Sequence, residues 1–167
     1  ENPDEVLPDE RDYQKLDFSR RFRMGPLDLG FDYSWNLPNG IQGPPYAFFE
    51  NDIMVGDTSE LCMLPKEISV GRPGFGMPYW DPYSIGPVMT SKAIDFMERH
   101  WDEDEASDQP FFIYYCSQAI HTPICPAESM EGTPIQGTTF DKVGDFIFEL
   151  DVTLGLVIEA LEKSGEL

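Results

Sequence analysis

Basic residues are scarce in this chain. Its 167 residues include 11 Lys and Arg against 31 Asp and Glu, which gives a formal net charge of −20 at pH 7. Nucleic acids and anionic membrane surfaces repel a chain of this charge, so neither is expected as a partner. The acidic residues are interpreted mainly as a solvated surface, and binding of cations is the alternative.

Cysteine is also rare, and long apolar runs are missing. The three cysteines, Cys62, Cys116 and Cys125, are odd in number and lack metal-site spacing, which excludes a disulfide framework. Cys116 is predicted to be a small buried side chain. Cys125 follows His121 closely, so a Cys/His nucleophilic pair stays open as a less favoured alternative. No run of about 18 apolar residues and no signal peptide is recognisable, so no transmembrane helix is expected.

The remaining composition is typical of a folded chain. Hydrophobic residues make up 41% and aromatic residues 13%, which is enough to build a core. A chain of 167 residues has the size of one domain or of a piece of a larger one.

The stretch PFFIYYCSQAIHTPICP combines an apolar run with a histidine. Phe111 to Tyr115 predicts one buried strand, and His121 follows that run. Ligands of open α/β sheets bind just beyond the carboxyl ends of the strands. His121 is therefore the first candidate for a functional side chain, and a capping or core histidine is the alternative.

Two amphipathic stretches predict helices. The first is predicted to begin at a cap on Thr90 or Ser91 and to end near Trp101, with His100 stabilising its C-terminal end or facing solvent. The second is predicted from about Phe140 to Lys163. Its apolar residues recur with helical spacing and are predicted to face the core: Val143, Phe146, Ile147, Leu150, Leu154, Val157 and Leu161. A capping box of Thr138 with Asp141 and a C-terminal Gly165 are predicted to bound it.

The other stretches are predicted as loops and short turns. Residues 1–23 are interpreted as a surface segment, and residues 24–46, rich in Gly, Pro and aromatic residues, as a pocket wall or a packed connection. Residues 46–56 predict a hairpin, and Asp57 to Gly86 an irregular segment. Its GRPGFG stretch lacks the strand and the Lys-Ser/Thr ending of a phosphate loop. WDEDEASDQ is predicted as a solvated loop, since it lacks calcium-loop spacing.

Four motifs, taken in order, resemble a family of enzymes. GPLDLGFDYSWN, PPYAFFENDIMVG, PFFIYYCSQAIHTPICP and GDFIFELDVTLGLVIEALEKSG are similar to segments of formylglycine-dependent, arylsulfatase-like sulfatases of the alkaline phosphatase superfamily. The resemblance covers most of residues 24–165. It departs at Ile120, where the family commonly has Pro, and at Gln118, where Asn is frequent.

The resemblance implies an α/β fold that is incomplete in this chain. Residues 1–167 would form a single partial domain, the middle of a sulfatase catalytic domain, with central-sheet strands, packing helices and long loops. The formylglycine motif and the Ca²⁺ ligands would lie outside this chain, which would hold no metal ligand and be inactive alone. A periplasmic, extracellular or lysosomal compartment would fit the family, and an isolated segment with unpaired sheet edges could swap or oligomerise.

The resemblance also implies site residues. His121 would be catalytic and would hydrogen-bond the sulfate and the leaving-group oxygen, because sulfate cleavage needs donors at those oxygens and a histidine can donate near neutral pH. Trp35, Asn36 and Tyr46 are weaker candidates for contacts with a sulfated glycan or small molecule.

Three functions remain open at this point. The favoured function is hydrolysis of sulfate esters of carbohydrates or aryl alcohols. The first alternative is a phosphomonoesterase, phosphodiesterase or phosphonate hydrolase of the same superfamily. The second is a non-catalytic acidic binding module.

Overall fold

The computed structural model describes residues 16–21, 23–102 and 109–165. It divides into two compact units, Glu1–Trp80 and Asp81–Leu167. Most of the surface segment predicted for residues 1–23, and most of the acidic loop WDEDEASDQ, lie outside the described residues. The single partial domain stays a prediction.

A small antiparallel sheet organises the first unit. Its strands are β1 (Trp35–Asn36), β2 (Phe49–Glu50) and β3 (Ile53–Met54), in the order β1-β2-β3. β2 and β3 confirm the predicted hairpin. Asn51 and Asp52 turn the chain between them with φ of 50° and 65°, a conformation that Asn and Asp tolerate better than most residues.

The segment predicted to be irregular, Asp57 to Gly86, is more regular than expected. It contains a 3₁₀ helix, a second antiparallel strand pair and a short helix: Thr58–Glu60, β4 (Cys62–Leu64) with β5 (Gly74–Gly76), and α1 (Lys66–Ser69). The prediction was wrong because strands of three residues carry too little alternation to be recognised. β5 contains GFG of the GRPGFG stretch and leads into no helix N-terminus, which agrees with the rejection of a phosphate loop.

Two kinds of contact hold the first unit together. Ala47, Phe49, Met54 and Met77 form a buried apolar cluster. Beside it, the fully buried Asp52 accepts hydrogen bonds at 3.2 to 3.4 Å that attach the preceding loop to the hairpin; the donors are Arg21 Nε, Leu27 N and Ser34 Oγ. A buried carboxylate of this kind is stable only because it is hydrogen-bonded and paired.

The second unit is built on two helices that pack on each other, α2 (Ile85–Asp102) and α3 (Lys142–Ser164). A short hairpin, β6 (Ser129–Met130) with β7 (Thr133–Pro134), lies between them in sequence. A 3₁₀ turn, Pro82–Ser84, leads directly into α2. Within the described ranges, no helix is both long and apolar enough to cross a membrane.

The predicted start of α2 is wrong. The helix begins at Ile85, and Thr90 lies buried inside it, where its Oγ1 donates to Gly86 O at 2.8 Å. Asp81, whose side chain accepts from Tyr83 N, caps the 3₁₀ turn before the helix instead. At the other end His100 lies in the last turn, as predicted.

The predicted bounds of α3 agree with the structure to within two residues at the N-terminus and one at the C-terminus. The N-cap differs: Asp141 alone caps the helix by accepting from Gly144 N at 2.8 Å, while Thr138 Oγ1 donates to Ile135 O. Gly165 ends the helix at φ 83°, the left-handed conformation expected for a C-terminal glycine.

Only part of the predicted core face of α3 is buried. Phe146 is fully buried, as predicted, whereas Ile147 is 52% exposed and Leu154 53% exposed, although both were predicted to face the core. The buried positions of α3 are mixed, with three polar residues among them: Asp145, Phe146, Glu149, Thr153 and Ala160. Hydrophobic periodicity predicted this face only in part, because it contains no signal for polar residues that are buried and hydrogen-bonded.

The run Phe111 to Tyr115 does not form the predicted buried strand. It is assigned no strand, and exposure alternates along it, with Phe112 and Tyr114 exposed. Cys116 continues the exposed side, so its predicted burial is also wrong. The alternation of exposure is typical of an extended backbone. No strand in the described part of the chain pairs with this run, and sequence periodicity cannot predict whether a pairing strand is present.

Candidate functional site

His121 lies in a loop between Tyr115 and β6, in the second unit, and its side chain is exposed. Two cis peptide bonds flank it, Ala119–Ile120 and Thr122–Pro123. The backbone N–H of His121 donates to Gln118 O at 2.6 Å, so a tight turn carries the histidine.

One nitrogen of the His121 ring is already engaged. Nδ1 lies 2.6 Å from Thr122 O. Because a carbonyl oxygen can only accept, Nδ1 carries a proton in this contact. Nε2 is therefore the nitrogen left for a ligand, as an acceptor in the neutral ring and as a donor in the doubly protonated ring.

Glu149 of α3 holds this loop at two places. Gln118 Nε2 donates to Glu149 Oε1 at 2.9 Å, and Ala127 N donates to Glu149 Oε2 at 2.6 Å. These contacts fall on both sides of His121 in sequence. Glu149 is 2% exposed, and burial raises the pKa of its carboxyl to about 7, although the hydrogen bond from Ala127 N opposes the rise.

Glu149 is a residue that sequence reasoning missed. A lone Glu in an amphipathic helix is ordinarily a solvated side chain. The available signal was a row of polar residues with a spacing of four, Asp145, Glu149 and Thr153, which places all three on one helix face.

The other two members of this row are also hydrogen-bonded. Asp145 accepts from Gly137 N at 2.8 Å and from Thr139 N at 2.9 Å, and these bonds lower the pKa of its carboxyl. Thr153 Oγ1 lies 3.2 Å from Thr90 Oγ1 of α2, which lies 3.1 Å from the Tyr115 hydroxyl. The polar face of α3 thus joins α2, the extended run and the loops around His121.

The structure speaks against a Cys125/His121 nucleophilic pair. Cys125 is buried, and burial raises the pKa of its thiol to about 11. A thiol with this pKa is protonated near neutral pH and is a poor nucleophile.

The three weaker candidates for substrate contact, Trp35, Asn36 and Tyr46, lie in the first unit. The Trp35 ring contacts the Phe48 ring, with centroids 5.3 Å apart. Asn36, the next residue of β1, has a buried Nδ2 with no hydrogen-bond partner among the residues that the structure describes. This donor suits a ligand contact, because buried amide groups are otherwise paired.

Tyr46 lies in the core and not on a surface. Its side chain is 0% exposed, its hydroxyl donates to Arg72 O at 2.6 Å, and burial raises the pKa of that hydroxyl. Gly76 packs against it so closely that an added Cβ would lie 2.5 Å from Tyr46 Cβ. This geometry favours a packing role for Tyr46, and its role in substrate binding stays a prediction without structural support.

Metal ligands are not clustered in the described part of the chain. Over residues 16–21, 23–102 and 109–165, no group of three or more His, Cys, Asp or Glu side chains is placed to hold a metal ion.

Comparison with known proteins gives the class to which this segment is similar. No protein-family model matches it. It is 26% identical over 88% of its length to an N-acetylgalactosamine-6-O-sulfatase of Bacteroides thetaiotaomicron and covers 34% of that protein. It is 26% identical over 89% of its length to the human N-acetylgalactosamine-6-sulfatase and covers 26% of it. A solved structure from a study of glycosaminoglycan metabolism by Bacteroides thetaiotaomicron matches with a TM-score of 0.71 and 22% identity, over 89% of this chain and 36% of that one.

These similarities confirm the resemblance carried by the four motifs. The fold is similar to that of part of this solved structure. The chain is similar to a segment of these sulfatases, and it spans 26% to 34% of their length.

Proposed function

We propose that this chain contributes to a hydrolase that cleaves sulfate esters of carbohydrates, with 6-sulfated N-acetylgalactosamine as the favoured substrate. The observation that carries the proposal is the similarity along nearly the whole chain to sulfatases named for that sugar. Among the described residues, His121 is the best candidate for contact with the sulfate ester.

The proposed role of His121 follows from its ring contacts. With Nδ1 bound to Thr122 O, only Nε2 is left to meet a substrate. In the doubly protonated ring Nε2 donates a hydrogen bond, either to a sulfate oxygen or to the leaving oxygen as negative charge develops there. A cationic donor is favourable at this place because both the substrate and the chain as a whole are anionic.

The remaining chemistry is proposed to come from residues outside this chain. A formylglycine nucleophile and Ca²⁺ would supply the attack on sulfur and the neutralisation of the sulfate charge. The 167-residue chain alone is therefore expected to release no sulfate. Asn36 is proposed as a secondary substrate contact, on the basis of its buried amide donor.

The test is a substrate comparison with the gene product that carries this chain, expressed together with a formylglycine-generating enzyme. N-acetylgalactosamine 6-sulfate, N-acetylgalactosamine 4-sulfate, an aryl sulfate and an aryl phosphate would be offered at equal concentration, and released sulfate or phosphate measured. The proposal expects the 6-sulfate to be hydrolysed fastest.

Two other outcomes would contradict it. Preferential hydrolysis of the aryl phosphate would assign the chain to a phosphoesterase of the same superfamily. No turnover of any ester, with the purified protein folded, would favour a binding module. The 167-residue chain assayed alone is the matched blank.

A further inference from the structure

The two contacts of Glu149 lie on the two sides of His121. Gln118 precedes the histidine and Ala127 follows it, and both donate to the one carboxyl group. The backbone carbonyl of Gln118 also accepts the backbone N–H of His121 at 2.6 Å. Glu149 is therefore linked to His121 through Gln118, whose side chain bonds to the carboxyl and whose backbone bonds to the histidine.

α2 leaves space for the carboxyl at this place. Gly86 lies so close that an added Cβ would be 2.0 Å from Glu149 Oε1, so no side chain fits between the helices there. The Glu149 carboxyl is thus enclosed by the first turn of α2 on one side and by the His121 loop on the other.

No opposite charge explains why this carboxyl is buried. Within residues 81–102 and 109–165, no basic side chain forms an ion pair with Glu149 or lowers its pKa. The titratable groups that interact with it are Tyr115 and Cys125, and burial raises the pKa of both, so both are neutral near neutral pH. On α3 itself, Asp145 lies one turn away and is occupied by the loop before the helix.

We propose that Glu149 is a positioning residue for His121, which fixes the histidine loop by holding Gln118 and Ala127 at the same time. We call these two contacts of Glu149, with Gln118 and with Ala127, the clamp. Its importance for catalysis depends on the proposed role of His121, whereas its existence does not depend on that role.

The Gln118 side chain allows the clamp to exist in two protonation states. Its Oε1 is buried and has no partner among the described residues. When Glu149 is ionised, Gln118 Nε2 donates to it. When Glu149 is protonated, a rotation of the Gln118 amide brings its Oε1 to accept the new O–H, and Ala127 N keeps its acceptor.

The clamp is tested by nuclear magnetic resonance on the 167-residue chain. Glu149→Ala removes both acceptors, and amide exchange at Ala127 and His121 is expected to become about 10- to 100-fold faster, as for loss of a hydrogen bond to a charged group. Glu149→Gln can accept from Ala127 N and donate to Gln118 Oε1, so it should restore slow exchange. Glu162→Gln, at an exposed position of the same helix, is the matched control and should change neither amide.

The pH dependence of amide chemical shifts is a second test of the clamp, and it can be used if Glu149→Ala fails to fold. In the unaltered chain the Ala127 amide and the Gln118 side-chain amide should shift with a midpoint near pH 7, and Glu149→Gln should abolish that transition. Persistence of the transition in Glu149→Gln would overturn the proposal, as would unchanged exchange at His121 in a folded Glu149→Ala variant. Neither readout depends on turnover, so a failed sulfatase assay leaves this result interpretable.

Discussion

Replacing Glu149 by Gln should remove a specific pH dependence from the stability of the chain. Burial raises the pKa of this carboxyl from its ordinary value of 4.5 to about 7, so the folded state binds the proton more tightly than the unfolded chain. The stabilisation is therefore complete below about pH 4.5 and is lost as the pH rises through about 7.

The size of the effect follows from the two pKa values. One unit of pKa difference corresponds to about 1.4 kcal/mol, so the difference between the unfolded and folded pKa of Glu149 corresponds to about 3 kcal/mol. About 2.5 kcal/mol of this should be lost between about pH 5 and about pH 8, and the free energy of unfolding should then stay constant with respect to this group.

The assay is urea unfolding followed by tryptophan fluorescence at those two pH values. The unaltered chain should lose about 2.5 kcal/mol more than Glu149→Gln between them. Glu162→Gln, which removes an exposed charge from the same helix, should behave like the unaltered chain. If the free energy of unfolding changes by the same amount, within about 0.5 kcal/mol, in the unaltered chain and in Glu149→Gln, the burial of a Glu149 carboxyl without an ion pair is refuted.

Three further predictions follow from the second unit. Asp141→Ala removes the N-cap of α3 and should lower the free energy of unfolding by about 1 kcal/mol in urea titrations, and an unchanged midpoint would contradict the cap. A thiol reagent near neutral pH should modify Cys116 quickly and Cys125 only after unfolding, and equal rates measured by peptide mapping would contradict the burial of Cys125. The exposed apolar face of α3 should promote self-association of the isolated chain, so Ile147→Glu with Leu154→Glu should shift its sedimentation toward the monomer, and an unaltered oligomer would show that another surface associates.

Sequence patterns predicted those elements whose stability is local. The hairpin of β2 and β3 and the extent of α3 were recognisable because turn residues, caps and helical spacing act within a few residues. The class of protein was recognisable from four motifs in order, which the similarity to known sulfatases confirms.

Features that depend on distant partners were mispredicted. Phe111 to Tyr115 has the composition of a buried strand, but strand formation needs a neighbouring strand, and none is paired with it in the described part of the chain. The buried face of α3 was predicted only in part: its polar residues Asp145, Glu149 and Thr153 were missed, and they form hydrogen bonds to loops and to α2. Hydrophobicity contains no information about such bonds.

The candidate site was predicted in part. His121 was found because it follows an apolar run within a recognisable motif, and the structure places it in an exposed, hydrogen-bonded loop. Its supporting residue, Glu149, was missed because the two are brought together only by the packing of α3 on the loop. His121 as a catalytic residue stays a prediction.

The central claim is tested most directly by kcat/KM for sulfate release from N-acetylgalactosamine 6-sulfate by the gene product that carries this chain. His121→Ala should lower it by about 10²- to 10⁴-fold, the range expected for loss of a positioned proton donor. His100→Ala, the matched change at the other histidine of this chain, in the last turn of α2, should leave it unaltered. Equal activity of the His121→Ala variant and the unaltered enzyme would contradict the account.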